Sequence, residues 1–120
     1  MSVLIVESDP HLGAVWKRHL ERQGNHVALA ETQQTAIEAM LAKDVALILL
    51  NVELRDGSAL AVADFASYRY PSIKVVFVTA KKFFSDGSIF SLAPNACAYV
   101  AAGTPVDDLA AMVEHYAARD

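Results

Sequence analysis

Five short apolar runs punctuate this chain: "VLIV" (Val3–Val6), "HVALA" (His26–Ala30), "VALILL" (Val45–Leu50), "IKVVFV" (Ile73–Val78) and "CAYV" (Cys97–Val100). A run that is apolar at nearly every residue offers no face to water, so as a strand it must be covered on both sides. The segments between the runs supply the covers. Leu12, Val15, Trp16 and His19 repeat at helical spacing, with Lys17, Arg18, Glu21 and Arg22 mostly on the other side. A second helix carries an inner stripe of Ala36, Ile37, Met40 and Leu41. The last carries Leu109, Met112, Val113 and Tyr116. Strand and helix alternate five times. The expected fold is α/β, a (βα)5 doubly wound five-stranded parallel sheet with helices on both faces.

Local signals mark the boundaries. Asp9 before Pro10 is a capping carboxylate followed by a proline at the first helical position. Gly24 stops that helix, and Thr32 caps the next. Asp56-Gly57 reads as a turn, and Ser58 caps a third helix from Ala59 to about Tyr68. Pro71 precedes the fourth strand. A fourth helix falls within 85–93 and is broken by Pro94, with Asn95 expected in the left-handed region. Thr104-Pro105 opens the last helix.

With 120 residues and 54% hydrophobic composition, residues 1–120 read as a single domain whose core needs no staples. The net charge of −4 argues against the basic face that nucleic acid binding requires. One cysteine, Cys97, gives no disulfide framework and reads as a buried small hydrophobe. No apolar run reaches membrane-spanning length, and "SVLIV" is too short for a signal segment, so a reducing cytoplasm is the expected location. His11, His19, His26 and His115 show no metal-ligand spacing and no nucleophile partner.

In doubly wound sheets the working crevice lies beyond the carboxyl ends of the strands. That rule gathers Glu7, Ser8 and Asp9 after the first strand, Asn51 after the third, Thr79 after the fourth and the Ala101–Thr104 loop after the fifth.

"VLIVESDP", "LILLNVELRDGS", "VVFVTA" and "NACAYV", at these spacings over the whole chain, resemble the receiver domain of bacterial response regulators. The resemblance implies the flavodoxin-like receiver topology. It also implies a crevice in which an acidic pair holds Mg2+, an aspartate ending the third strand accepts phosphate, and a Ser/Thr and an aromatic form a switch. A lysine before a proline completes that pattern. Here Asn51 stands at the phosphoacceptor position, and an amide is not a carboxylate nucleophile. The acidic stretch reads Glu7, Ser8, Asp9, one carboxylate of the pair having become Ser8. The lysine position falls on Ala102 counted from Tyr99, or on Thr104 counted back from Pro105. Thr79 and Tyr99 remain as the switch pair, with a strand-end hydroxyl and a half-buried aromatic as the plainer reading. Asn51 reads either as a fixed-state mimic or as a neutral filler that satisfies buried polar groups. Glu7 and Asp9 read as residual metal ligands or, more simply, as a solvated carboxylate and a helix cap.

The resemblance therefore implies a pseudo-receiver: a non-catalytic two-component signalling module with no cofactor, and with Mg2+ binding weak or absent. Expected partners are a histidine kinase, an output domain or a second copy, met on the face of the fourth helix, fifth strand and fifth helix. Phe83, Phe84, Tyr99 and Met112 are the candidate contacts there, and Phe65 is a second apolar candidate. Two alternatives stand beside this: phosphorylation at a substitute acid, Asp9 or Asp56, and a flavodoxin-like ligand-binding domain. The latter lacks a glycine-rich loop after the first strand, where Gly13 alone falls inside a helix.

Overall fold

The computed structural model describes residues 2–79, 95–101 and 103–117. In chain order the elements are β1 (Ser2–Val6), α1 (Pro10–Arg22), β2 (His26–Ala30), α2 (Gln33–Ala42), β3 (Leu47–Asn51), α3 (Ala59–Arg69), β4 (Lys74–Thr79), β5 (Ala96–Ala101) and α4 (Val106–Ala117). The helix expected within 85–93 lies outside the described residues. None of the described helices is long and apolar enough to cross a membrane.

All neighbouring strands pair in parallel, in the order β2-β1-β3-β4-β5. The chain steps outward from β1 to β2 and then crosses back to β3. The order reverses between β1 and β3, and their carboxyl ends open the crevice. Alternation along each strand sorts the core into two layers. Leu4, Val6, Ile48, Leu50, Val75 and Phe77 face α2 and α3. Val3, Ile5, Leu47, Leu49, Val76 and Val78 face α1 and α4, against Trp16, Leu20, Leu109 and Val113. Both sides of the central strands are sealed, as their unbroken apolar runs require.

The helix starts follow the sequence signals. Asp9 Oδ1 accepts from the backbone N–H groups of His11 at 2.9 Å and Leu12 at 3.4 Å. Thr32 and Thr35 cap each other reciprocally, each hydroxyl accepting from the other's backbone N–H at 3.1 Å. Ser58 Oγ accepts from the N–H of Ala61 at 3.2 Å. Gly13 sits buried on α1 under Leu29, where a Cβ would come within 2.7 Å of Leu29 Cδ1. Its smallness serves helix–sheet contact.

Several expectations need correction. The inward residues of α1 are Gly13, Trp16 and Leu20, so Val15 is 36% exposed and His19 is half-buried. On α2 the buried residues are Ala36 and Met40. Leu41, about 100° further round the helix from Met40, is 56% exposed. On α3 the inward set is Ala59, Val62, Ala63 and Ala66, while Leu60 and Phe65 are half-buried against the same layer. Phe65 meets Tyr70 edge to face at 6.3 Å. Asn95 is not left-handed, since no described non-glycine residue has positive φ. Its carbonyl instead accepts from the N–H of Val75 at 3.1 Å, joining β5 to β4. Cys97 is half-buried rather than buried, because β5 is an edge strand with one neighbour.

Candidate functional site

The polar groups that the crevice rule gathers from β1 and β3 do converge. Asn51 is the last residue of β3, and Glu7 follows β1 directly. Asn51 Nδ2 donates to Glu7 Oε1 at 2.6 Å. The other carboxylate oxygen, Oε2, accepts from the backbone N–H of Asp9 at 2.9 Å. Glu7 is only 3% exposed. A carboxylate this buried is costly unless bonded, and a bond to a charged acceptor contributes about 1.5–3 kcal/mol. Asn51 uses both ends of its amide, since Oδ1 accepts from the N–H of Glu53 at 2.8 Å. That bond turns the chain out of β3 into the loop before α3.

Ser8 is also buried, at 8% exposure. Its hydroxyl donates to the carbonyl of Glu31 at 3.1 Å and accepts from the N–H of Arg55 at 2.9 Å. The first contact lies in the loop after β2, the second in the loop after β3. Gln33, at the start of α2, holds the same β3–α3 loop from outside. Its Oε1 accepts from the N–H of Ser58 at 2.8 Å, and its own N–H donates to the carbonyl of Asp56 at 3.2 Å. Gly57 makes this approach possible. Its φ is +93°, and a Cβ there would lie 2.3 Å from Gln33 Cβ. Ser8 as a bridge and Gln33 as a clamp were missed in the sequence. Both act through main-chain groups of distant loops, for which side-chain types give no signal.

Asp9 is committed to capping α1. Asp56 is exposed in the turn. Among the described residues, no group of three or more His, Cys, Asp or Glu side chains that could hold a metal ion comes together.

On the other side of the crevice, Thr79 ends β4 at 2% exposure. Tyr99 of β5 is half-buried, its ring stacked on Phe77 at 5.5 Å and 15°. Burial raises the Tyr99 phenol above its ordinary pKa. Thr104 lies in the turn before α4, its N–H donating to the carbonyl of Ala101 at 3.0 Å. Ala102, Phe83 and Phe84 lie outside the described residues. Met112 is half-buried against the layer shared by α1 and α4.

Lys74 reaches from β4 to the C-terminal turn of α4, its Nζ donating to the carbonyl of Tyr116 at 2.8 Å. Burial pushes the Cys97 thiol up, and the nearby Lys74 ammonium opposes this only in part. His19 on α1 faces Asp107 on α4, Nε2 to Oδ1, at 3.5 Å.

The comparisons with known proteins agree with this architecture. The response regulator receiver domain family matches residues 3–114. No curated protein sequence matches the chain. Among solved structures, a CheY-like receiver domain protein from Methanospirillum hungatei JF-1 is 25% identical with a TM-score of 0.86, over 97% of this chain and 92% of that one. The receiver domain of a putative LuxO repressor from Vibrio parahaemolyticus is 23% identical with a TM-score of 0.88, over 98% and 90%. The response regulator TrrA from Thermotoga maritima, in complex with Mg2+ and BeF, is 22% identical with a TM-score of 0.82, over 95% and 96%. With nearly its whole length matched and its five strands in receiver order, the chain belongs to the response regulator receiver domain family.

Proposed function

We propose that this receiver domain is a pseudo-receiver: a non-catalytic module that signals by protein contact without aspartyl phosphorylation. The observation that carries the reading is the Asn51 amide, which ends β3 where the family resemblance puts the nucleophile and donates its nitrogen to Glu7. An amide has no carboxylate oxygen to attack phosphorus, so no acyl phosphate forms at Asn51. The donor set does not fit Mg2+ either. Glu7 already accepts at both oxygens, Ser8 is neutral and engaged twice, and Asp9 caps a helix. Mg2+ favours several anionic or water oxygens in near-octahedral array, so its binding here is weak or absent. The exposed turn position of Asp56 argues against it as a substitute acceptor.

The partner would be a histidine kinase, an output domain or a second copy of the chain, recognised in one standing conformation. The test is a backbone amide spectrum of the labelled domain, titrated with Mg2+ and BeF, the pair bound by the Thermotoga relative. Resonances of residues 7–9, 51–58 and 79 are expected to stay in place. Saturable shifts there would contradict the reading.

A further inference from the structure

We propose that Ser8 is a loop clasp, and that with Asn51 it ties the crevice loops together without a cation. The inference rests on the pseudo-receiver reading and says what replaces the lost site. The family resemblance implies a crevice in which an acidic pair holds Mg2+. Here the crevice loops are joined by hydrogen bonds between protein groups. Asn51 links β3 to Glu7 after β1. Ser8 Oγ links β1 to the Glu31 carbonyl after β2 and to the Arg55 amide after β3. One buried hydroxyl thus joins its own loop to two others at the sheet's carboxyl end, using its donor once and its acceptor once. From Arg55 the restraint passes along the loop to Asp56 and Ser58, which Gln33 fixes to the start of α2. A carboxylate at position 8 could accept from Arg55, but it has no proton for the Glu31 carbonyl. The hydroxyl is therefore the specific requirement, and Ser8 is a positioning residue rather than merely a lost ligand.

The test is residue-resolved amide hydrogen exchange on the intact domain, in wild type, Ser8→Ala and Ser8→Thr, with Mg2+ or with a chelator. In wild type the Arg55 and Glu53 amides are expected to exchange at the same rate in both solutions. Ser8→Ala is expected to speed Arg55 by about five- to tenfold, the equivalent of one hydrogen bond. The core strands should be unchanged, and Ser8→Thr, which keeps the hydroxyl, should restore the wild-type rate. An Arg55 rate untouched by Ser8→Ala would overturn the clasp. So would wild-type protection that appears only with Mg2+, a result that needs no variant to fold. A phosphoryl adduct on wild type would instead defeat the underlying reading, whatever the exchange rates in the absence of a donor.

Discussion

On the β1–β3 side of the crevice, the side-chain polar atoms of Glu7, Ser8 and Asn51 are all taken up in hydrogen bonds, and three of these bonds join segments distant in the chain. On the β4–β5 side, a buried Thr79 ends β4, and Tyr99 within β5 stacks on Phe77. The first side departs from the pattern the resemblance implies, with Asn51 bonded to Glu7 and Ser8 to the loops after β2 and β3. The second keeps the residue types the resemblance assigns to a switch. The difference teaches that the two halves are separable. Acceptor chemistry needs several charges at once, and loss of one makes the others costly. Packing of a hydroxyl and an aromatic is supported by the fold alone.

The largest effect is expected on the side that was kept. Phe77→Ala empties a fully buried site beneath Tyr99, and should cost about 3–5 kcal/mol in denaturant unfolding. A loss below about 1 kcal/mol would mean that the β4–β5 half is loosely packed. Next comes Asn51→Ala, which removes the donor to buried Glu7. It should cost about 2 kcal/mol, most of it recovered as coupling in a double-mutant cycle with Glu7→Gln. Independent, additive losses would break the claim that the β1–β3 half is one network. Gly57→Ala tests the outer edge of that network. The left-handed φ and the contact with Gln33 should together cost about 1–2 kcal/mol. The smallest effect lies away from the crevice, at Cys97. Its folded pKa is raised, so the stability it contributes is complete below the ordinary thiol value of about 8.5. That contribution is lost as pH rises through the raised value. Between those two values wild type should lose slightly more thermal stability than Cys97→Ala, and alkylation should be slower folded than unfolded.

Much of this was legible in the sequence. Five apolar runs, and caps at Asp9, Thr32 and Ser58, suffice to place the strands and three helix starts, because each signal acts within one turn of its own position. The crevice rule then brings Glu7, Ser8 and Asn51 together with no contact information. Burial at the margins was less legible. Val15 and Leu41 are apolar yet exposed, since a helix only partly covers a sheet and the pattern does not say where cover ends. The clasp was not legible, because Ser8 works through the main chain of Glu31 and Arg55, and any residue type supplies those atoms.

The central claim is that the Asn51 site takes no phosphoryl group. Intact mass after incubation with acetyl phosphate and Mg2+ tests it most directly, on wild type beside Asn51→Asp. Wild type should show no added phosphoryl mass. A gain confined to Asn51→Asp would show that the backbone of the crevice still fits the reaction and that the amide alone blocks it. A phosphoryl adduct on wild type would contradict the account, and peptide mapping would then locate the acid that carries it.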